Sequence, residues 1–574
     1  MKIISEKGET YMEKYYGVNI QKQRELLLKS KAAEGIIEEV ITKADNAIGK
    51  SYEALKISEY MLFYKTGDRA TFEKKHMERR YDALDLAAAL WLTDNEKYLE
   101  PLEDVIFNIL DEFTWCVAAH TSHYTGDKTP EWYREEVDLF NARTAILLCD
   151  IYTITKDKLS LLTKRRIAEE IRRRIIEPIK KKSFVWEKSN NNWLSYCVTG
   201  MSLSTALFGT NEEFQKLLPR FVGICDRYLG GFGEDCCCLE GGSYWTAFSE
   251  FLRTAIVIKD ASDGKIRLLE DERVEKIAAF QTKILMNPEK IVAFSDSKSS
   301  FSFRPGCISF LNKLYPHKIH IPDLKYRSPI GSMGLGMIDI LWFDVDYTPT
   351  PLKPLTTFFH KSEWYIARKK NFCFAAKGGF NKEPHNHNDI GSFMASSPDG
   401  KIPFGELGTG LYTRQYFEED KRYTILNNGS QGHSVPIING EYQQFGMDFC
   451  AKNTTAGDCF FETDMAGAYT QGIIEKAVRR FDISENGFTM KDTFLFSDKT
   501  ETFIERILVS DNPIVSDGEI VLDGAKLTFD YQKYTAKVIT IPYFHHTGEQ
   551  KTATFIDFEP KNKSERVFEM KAIF

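Results

Sequence analysis

The sequence predicts an all-α domain followed by an all-β domain, on three observations. Apolar residues recur at helical spacing through roughly the first 310 residues. Short alternating apolar and polar segments take over beyond residue 354. Between them, residues 347–354 (YTPTPLKP) hold three prolines in eight positions, which marks a boundary. The expected domains are 1–345 and 346–574.

Each helical element has its own signal. Residues 81–93 (YDALDLAAALWLT) are rich in Ala and Leu. In 165–177, Ile167, Ile171 and Ile175 recur every fourth residue, and Pro178 follows as an expected stop. Pro130 is placed to open a helix whose apolar positions Val137, Phe140 and Ile146 precede Cys149. Residues 193–207 are small and apolar nearly throughout, which predicts a helix buried on most sides. Residues 248–258 and 274–285 continue the pattern. About ten such helices joined by short polar connections predict a toroid or solenoid, although no internal repeat is visible.

In the second half, residues 363–368, 372–377, 488–496, 502–509, 519–522, 536–541 and 552–558 read as strands. Asn486-Gly487 predicts a type I′ turn between two of them. Many strands with turns at near-regular spacing predict a β-sandwich.

Composition sets outer limits. The chain has 574 residues, of which 43% are hydrophobic and 27% charged, so it is not a disordered polymer. Its length suggests roughly 3–4 domains by size alone, fewer if one is a large helical or β architecture. The net charge of −7 argues against a nucleic-acid partner. No apolar stretch is long enough to span a membrane. The N-terminus has no apolar core after its first lysine. The 11 cysteines include the consecutive Cys236, Cys237 and Cys238 and fit no disulfide framework or paired zinc pattern. These features predict reduced thiols and a cytoplasmic location. Aromatic residues reach 13%, which serves either large cores or a cleft where rings stack on sugars.

Chemistry-bearing residues fall in a few segments. Pro384-His385-Asn386-His387-Asn388-Asp389-Ile390-Gly391-Ser392-Phe393 carries two histidines. On a strand they would point to one face. A third lies in Ser430-Gln431-Gly432-His433-Ser434, and Glu406 lies between, in Phe404-Gly405-Glu406-Leu407-Gly408-Thr409-Gly410. Two imidazoles and a carboxylate make a zinc set with an open position, though histidines in a polar surface loop would read the same way. In the helical half, Asn190-Asn191-Asn192-Trp193 precedes the apolar helix. One Asn there serves as an N-cap, and three exceed that need. Glu240-Gly241-Gly242-Ser243-Tyr244-Trp245 places two aromatic residues after a flexible turn, which a capping loop with core aromatics would also do. His120 and His123 lie in a further polar loop.

Together these pieces resemble the heparinase II/III-like polysaccharide lyases. NNNW, EGGSYW, HNHNDIGSF, GELGTGLY and GHSVPIING occur in the family's order and span about residues 80–450. The resemblance implies an (α/α) toroid, an incomplete barrel, followed by an antiparallel β-sandwich. It implies cleavage of a uronic-acid polysaccharide by β-elimination. Asn192 would neutralise the uronate carboxylate, with Asn191 one residue away as an alternative. Tyr244 would donate a proton to the leaving oxygen and also serve as a base, and His385 would be the second base. His387, Glu406 and His433 would hold zinc or another divalent metal. Trp193, His120 and Glu240 are expected to contact substrate, as are Trp245, Tyr412, Tyr416 and Tyr423. Three departures stand out: Glu406 where the family has Asp more often, Trp193 where some relatives have His, and Asp235-Cys236 in place of an Asp-Gly pair.

These residue types suit the reaction. The C5 proton of a uronate is weakly acidic, and its removal places charge beside an existing carboxylate. An amide donor on that carboxylate stabilises the enediolate and does not itself titrate. A Tyr or His can take or give the proton where neighbours tune it. No water is consumed, so a glycosidase-type carboxylate pair such as Glu234 and Glu240 is not required. Three other readings use the same scaffold: uronate C5 epimerisation, non-catalytic glycan binding, and hydrolysis by that pair. The expected partner is a uronate-containing oligo- or polysaccharide, and the sequence leaves the oligomeric state open, a homodimer included.

Overall fold

A computed structural model describes residues 14–121, 135–330, 336–498, 500 and 502–574. Pro130 and His123 lie outside the described residues. The chain forms two compact units. One comprises Met1–Gly230, Thr246–Glu275 and Phe303–Pro349; the other comprises Gly231–Trp245, Lys276–Ser302 and Thr350–Phe574. The first is helical and the second is built mainly of antiparallel sheets, the order that the periodicity predicts.

In the first unit, helix Asn192–Phe208 is buried along most of its length. It packs against Leu139–Thr155 and Phe248–Ala261. A side chain at Gly200 would meet the Ala142 carbonyl oxygen at 2.7 Å, so glycine lets the two helices approach. Charged residues inside the unit are paired: Arg253 bonds Asp150 at 2.6 Å, and Arg304 bonds both Glu250 and Asp339 at 3.0 Å. Pro178 does not stop its helix. The turn Arg172–Ile176 widens to a π-helix and the helix resumes over Glu177–Lys181. The wider turn relieves the proline ring, and the Arg174 carbonyl, four residues before Pro178, accepts from Asn141 Nδ2 at 3.4 Å. Among the described residues, no helix is long and apolar enough to cross a membrane. All eleven cysteines are free.

In the second unit, an eight-stranded antiparallel sheet runs in the order Lys452–Gly457, Phe460–Asp464, Ile474–Ile483, Gly487–Phe496, Val567–Ile573, Ala525–Phe529, Glu519–Leu522, Ile514–Ser516. Two four-stranded sheets accompany it. One is Tyr534–Phe544, Gln550–Pro560, Phe503–Val509 and Ile437–Ile438; the other is Leu355–Phe359, Trp364–Arg368, Cys373–Lys377 and Phe393–Ser396. Alternation decides which side faces inward: Ala477, Arg479, Phe481 and Ile483 are buried on one strand. Ala477, Phe481 and Ile483 join Phe374, Phe393, Phe404 and Phe488 in a single apolar core. The Asn486-Gly487 turn sits one residue earlier than expected. Ser484 N donates to Gly487 O at 2.8 Å, so Glu485 and Asn486 are the central pair and Gly487 opens the next strand.

Trp364–Arg368 and Cys373–Lys377 are buried on both faces. Segment Lys276–Ser302 supplies the second cover: Phe294 packs edge-on against Trp364, ring centroids 5.2 Å apart. That contact fixes the backbone two residues before Asp296. Arg479, bonded to Asp492 at 2.6 Å, reaches from the core to the carbonyls of Gly391 (2.9 Å) and Ser434 (2.5 Å). The sheet thereby holds both histidine-bearing segments.

One prediction concerns the helical unit. Asp85, on helix Ala70–Thr93, is 5% exposed. Burial raises its carboxyl pKa to about 7, with Lys43 opposing. An unfolded Asp titrates near about 4, so the native state holds an extra proton between those values and stability falls as pH rises through them. Asp85→Asn is expected to raise denaturant-unfolding stability at pH 8 by on the order of 1–3 kcal/mol and to change little at pH 4. An equal effect at both pH values would contradict a buried, neutral carboxyl.

Candidate active site

The first unit groups four of the expected residues around the start of helix Asn192–Phe208. Asn191 is the N-cap: its Oδ1 accepts from Trp193 N at 3.2 Å and from Ser189 Oγ at 3.0 Å. The cap uses its side-chain oxygen, whereas the role expected of Asn192 or Asn191 uses the amide N–H donors. Asn192 is the first helical residue and is half-buried. Trp193 packs against His120 with the rings tilted by 55° and their centroids 4.5 Å apart. His120 Nδ1 bonds Asp138 Oδ2 at 3.0 Å, and Asp138 caps its own helix through Asn141 N.

The second unit contains the larger constellation. Tyr244 lies on the 3₁₀ turn Gly242–Ala247. The glycines before it are there for close approach: Gly241 has φ +106°, and a side chain on it would lie 3.0 Å from both the Phe294 carbonyl oxygen and Ser297 Cβ. Gly408, at φ +64°, likewise abuts the Ser297 carbonyl. Ser243 N donates to Ser297 Oγ at 3.1 Å. Two segments thus press on residues 295–297, with Ser295 itself at φ 60°.

Asp296 is the centre of this arrangement. Its Oδ2 bonds His385 Nδ1 at 2.8 Å, Arg422 Nη2 at 3.1 Å and the Tyr412 hydroxyl at 3.3 Å. Its Oδ1 bonds His387 Nε2 at 2.9 Å and accepts from the Tyr416 hydroxyl. The side chain has no exposed surface. Burial works to raise its pKa, but Arg422 and the two imidazole donors outweigh burial and hold the carboxyl well below the usual range. Arg422 also donates to the carbonyls of Asn386 at 2.9 Å and Tyr416 at 3.0 Å, joining two loops through one guanidinium.

Tyr244 stands against this centre. Its ring stacks on His385, centroids 4.4 Å apart, and its hydroxyl is 2.6 Å from that of Tyr412 and 3.4 Å from His385 Nδ1. Burial first, and then the Asp296 charge, push the Tyr244 hydroxyl well above its ordinary pKa. The phenol is therefore held protonated, as an acid requires. Glu240 Oε2 lies 3.8 Å from His385 Nε2.

Several expectations are revised. His385 and His387 are not on a strand: residues 382–392 form an irregular loop and His385 adopts φ 57°. Trp245 is buried at 2% exposure and its indole N–H bonds the Ile277 carbonyl at 2.7 Å, so it packs the core rather than facing substrate. Tyr423 makes no bond to Asp296 and stacks on Phe445 at 4.6 Å. Asp296 and Arg422 were not readable as site residues. Nor was His546, whose ring meets Tyr412 edge-on at 4.7 Å while its Nδ1 bonds Gly410 O at 3.1 Å. The one cue for Asp296 is a polar run (SDSKSS) after the apolar IVAF.

The expected metal ligands also meet in the second unit, with a different carboxylate nearest. His387, Asp389 and His433 each offer a ligand atom within 4.8 Å of the others. Glu406 instead spends its oxygens on His433 Nδ1 and Ser392 Oγ. Asp389 is paired with the buried Lys377 ammonium at 2.8 Å. His387 Nδ1 is buried without a hydrogen-bond partner, and burial, opposed by Asp296, lowers that imidazole's pKa to about 4. A neutral imidazole with a bare, buried lone pair beside a carboxylate and a second imidazole fits a divalent cation.

Among solved structures, a heparinase III (the BT4657 gene product) matches with TM-score 0.59 at 13% identity, over 99% of this chain and 93% of that one. Heparan sulfate lyase HepC from Pedobacter heparinus matches with TM-score 0.57 at 13% identity, over 96% and 87%. Chondroitin AC lyase from Streptomyces coelicolor A3 matches with TM-score 0.57 at 9% identity, over 96% and 82%. The fold is that of these lyases. The match runs over nearly the whole chain, so the toroid and sandwich expected from the motifs are both present. No family model matches the sequence, and no curated protein matches it significantly.

The capping geometry makes a prediction within this lyase fold. Asn191→Ala should cost about 1 kcal/mol of stability and Asn191→Asp much less, because Asp caps as well as Asn. Thermal unfolding of both variants checks it; equal losses would remove the cap assignment.

Proposed function

We propose that the chain is a polysaccharide lyase that cleaves uronic-acid-containing poly- or oligosaccharides, of the glycosaminoglycan or alginate type, by β-elimination. The observation that carries this reading is the stacked Tyr244–His385 pair beside a buried carboxylate: a phenol kept protonated and an imidazole kept oriented. The lyase fold of the structural neighbours supports it. Glu234 does not support hydrolysis by a carboxylate pair, since its side chain is 79% exposed and paired with Lys361.

In this mechanism His385 takes the C5 proton of the uronate. The electrons of that C–H bond form the C4–C5 double bond, the C4–O bond breaks, and Tyr244 protonates the leaving oxygen. The Tyr412 hydroxyl, 2.6 Å away, holds the Tyr244 hydroxyl in line. To Asn192 we assign neutralisation of the uronate carboxylate; that role rests on its place in the NNNW motif. His387 and His433 would hold a zinc ion, with Asp389 or Glu406 as the carboxylate ligand. The metal would add a fixed positive charge that organises the histidine-bearing loop.

Ultraviolet assay of the purified protein against heparan sulfate, chondroitin, hyaluronan and alginate, as polymers and oligomers, tests the reading. Unsaturated uronate should appear with at least one of them. Proton exchange at C5 without chain cleavage would point to epimerisation instead, which the same two groups suffice to perform.

Three variants sharpen the test. Tyr244→Phe should lose roughly 10²-fold or more in kcat, the scale of a positioned proton donor, while folding normally. Near wild-type turnover would transfer the donor role to Tyr412 or another residue. Asn192→Asp should lower kcat far more than it raises KM, because a like charge opposes the developing enediolate; normal turnover would leave Asn192 a structural residue. Elemental analysis should find zinc in the wild-type protein and lose it in the His387→Ala/His433→Ala variant, and Asp389→Asn compared with Glu406→Gln identifies the carboxylate ligand. Unchanged metal content in the double histidine variant would remove the site.

A further inference from the structure

His385 and His387 are two residues apart on one loop and bond the same carboxylate through different ring nitrogens. His385 uses Nδ1, at 2.8 Å from Asp296 Oδ2; His387 uses Nε2, at 2.9 Å from Asp296 Oδ1. An ionised carboxylate only accepts, so each of those nitrogens carries the hydrogen. The rest of the site agrees. His385 Nδ1 cannot donate to Asp296 and also accept from Tyr244, and the Tyr244 hydroxyl is indeed 3.4 Å from that nitrogen but 2.6 Å from the Tyr412 hydroxyl. Glu240, at 3.8 Å, is too far to hold a hydrogen on His385 Nε2. His387 Nδ1, on the far side of its ring, is the buried nitrogen without a hydrogen-bond partner.

We propose that Asp296 is a positioning residue that fixes opposite tautomers in the two histidines of this loop. His385 is protonated at Nδ1, which leaves Nε2 as the atom that takes the substrate proton. His387 is protonated at Nε2, which leaves Nδ1 bare for the cation. One buried carboxylate thereby assigns one imidazole to proton transfer and its neighbour to ligation. The opposite backbone turn at His385, φ 57°, is what lets two rings so close in sequence reach the two oxygens of one group. Tyr412, Tyr416 and Arg422 hold Asp296 from its other sides, so the carboxylate cannot rotate to serve either ring alone. The division of labour between the histidines rests on the lyase reading; the tautomers themselves do not.

The test separates the two. Two-bond ¹H–¹⁵N correlation spectra of the full-length protein, ¹⁵N-labelled in histidine and treated with chelator, report which nitrogen of each ring is protonated. His385→Gln and His387→Gln identify the signals. The expected result is Nδ1–H for His385 and Nε2–H for His387. Observation of His385 as the Nε2–H tautomer, or of both rings in the same tautomer, would overturn the proposal without any variant of Asp296. Asp296→Asn should then lose roughly 100-fold or more in kcat, the scale for removing a residue that orients a functional histidine, with KM changed by less than about threefold. Asp296→Glu should regain part of that loss. A fall in KM affinity with kcat intact would show that Asp296 acts on substrate binding rather than on the imidazole. If the tautomers are as expected and no polyuronate yields an unsaturated product, the lyase reading fails and the tautomer assignment stands.

Discussion

A carboxylate with no exposed surface is tolerable only when every lone pair is met, and Asp296 is met by two imidazoles, two phenols and a guanidinium. All of those groups lie far along the chain, between 89 and 126 residues downstream. Removing the charge would strand Arg422 in the interior and release both histidines and both tyrosines at once. The site is therefore a single electrostatic unit. Its geometry is set by what one aspartate can hold, and the phenols stay protonated in part because that charge is beside them.

The fold's contribution is to bring Asp296 to that point. Phe294 locks onto Trp364 at the covered face of a four-stranded sheet, which fixes the segment. Gly241 and Gly408 admit two loops to within contact of Ser297, where any side chain would collide. Arg479, anchored in the sandwich core by Asp492, reaches the carbonyls of Gly391 and Ser434 and steadies both histidine segments. Ser295 and His385, which flank the Asp296–His385 bond, both hold positive φ.

The fold was legible in the sequence because its signals are local. Alternation along 488–496 and the nearly unbroken run of small and apolar residues along 193–207 report burial directly, and both segments form the elements they predict. The motif residues were legible as a group: Tyr244, His385, Tyr412 and Tyr416 meet around one point. What was hidden is non-local. Asp296 sits in a serine-rich turn that looks solvent-exposed, and nothing near it in the chain signals its partners. Arg422 reads as one more charge in EEDKR. Pro178 misled because a widened turn can absorb a proline, and Trp245 misled because an indole beside a site tyrosine is as useful to the core as to a sugar.

Elimination breaks the glycosidic bond without water. Cleavage of a polyuronate in H₂¹⁸O, with products analysed by mass spectrometry, tests this most directly. Elimination by His385 and Tyr244 predicts new non-reducing ends that are unsaturated and lighter than hydrolysis products by one water, with no ¹⁸O gained at the broken linkage. Saturated ends, with one ¹⁸O incorporated per cleavage, would contradict it and require a water-activating pair in place of the tyrosine and histidine.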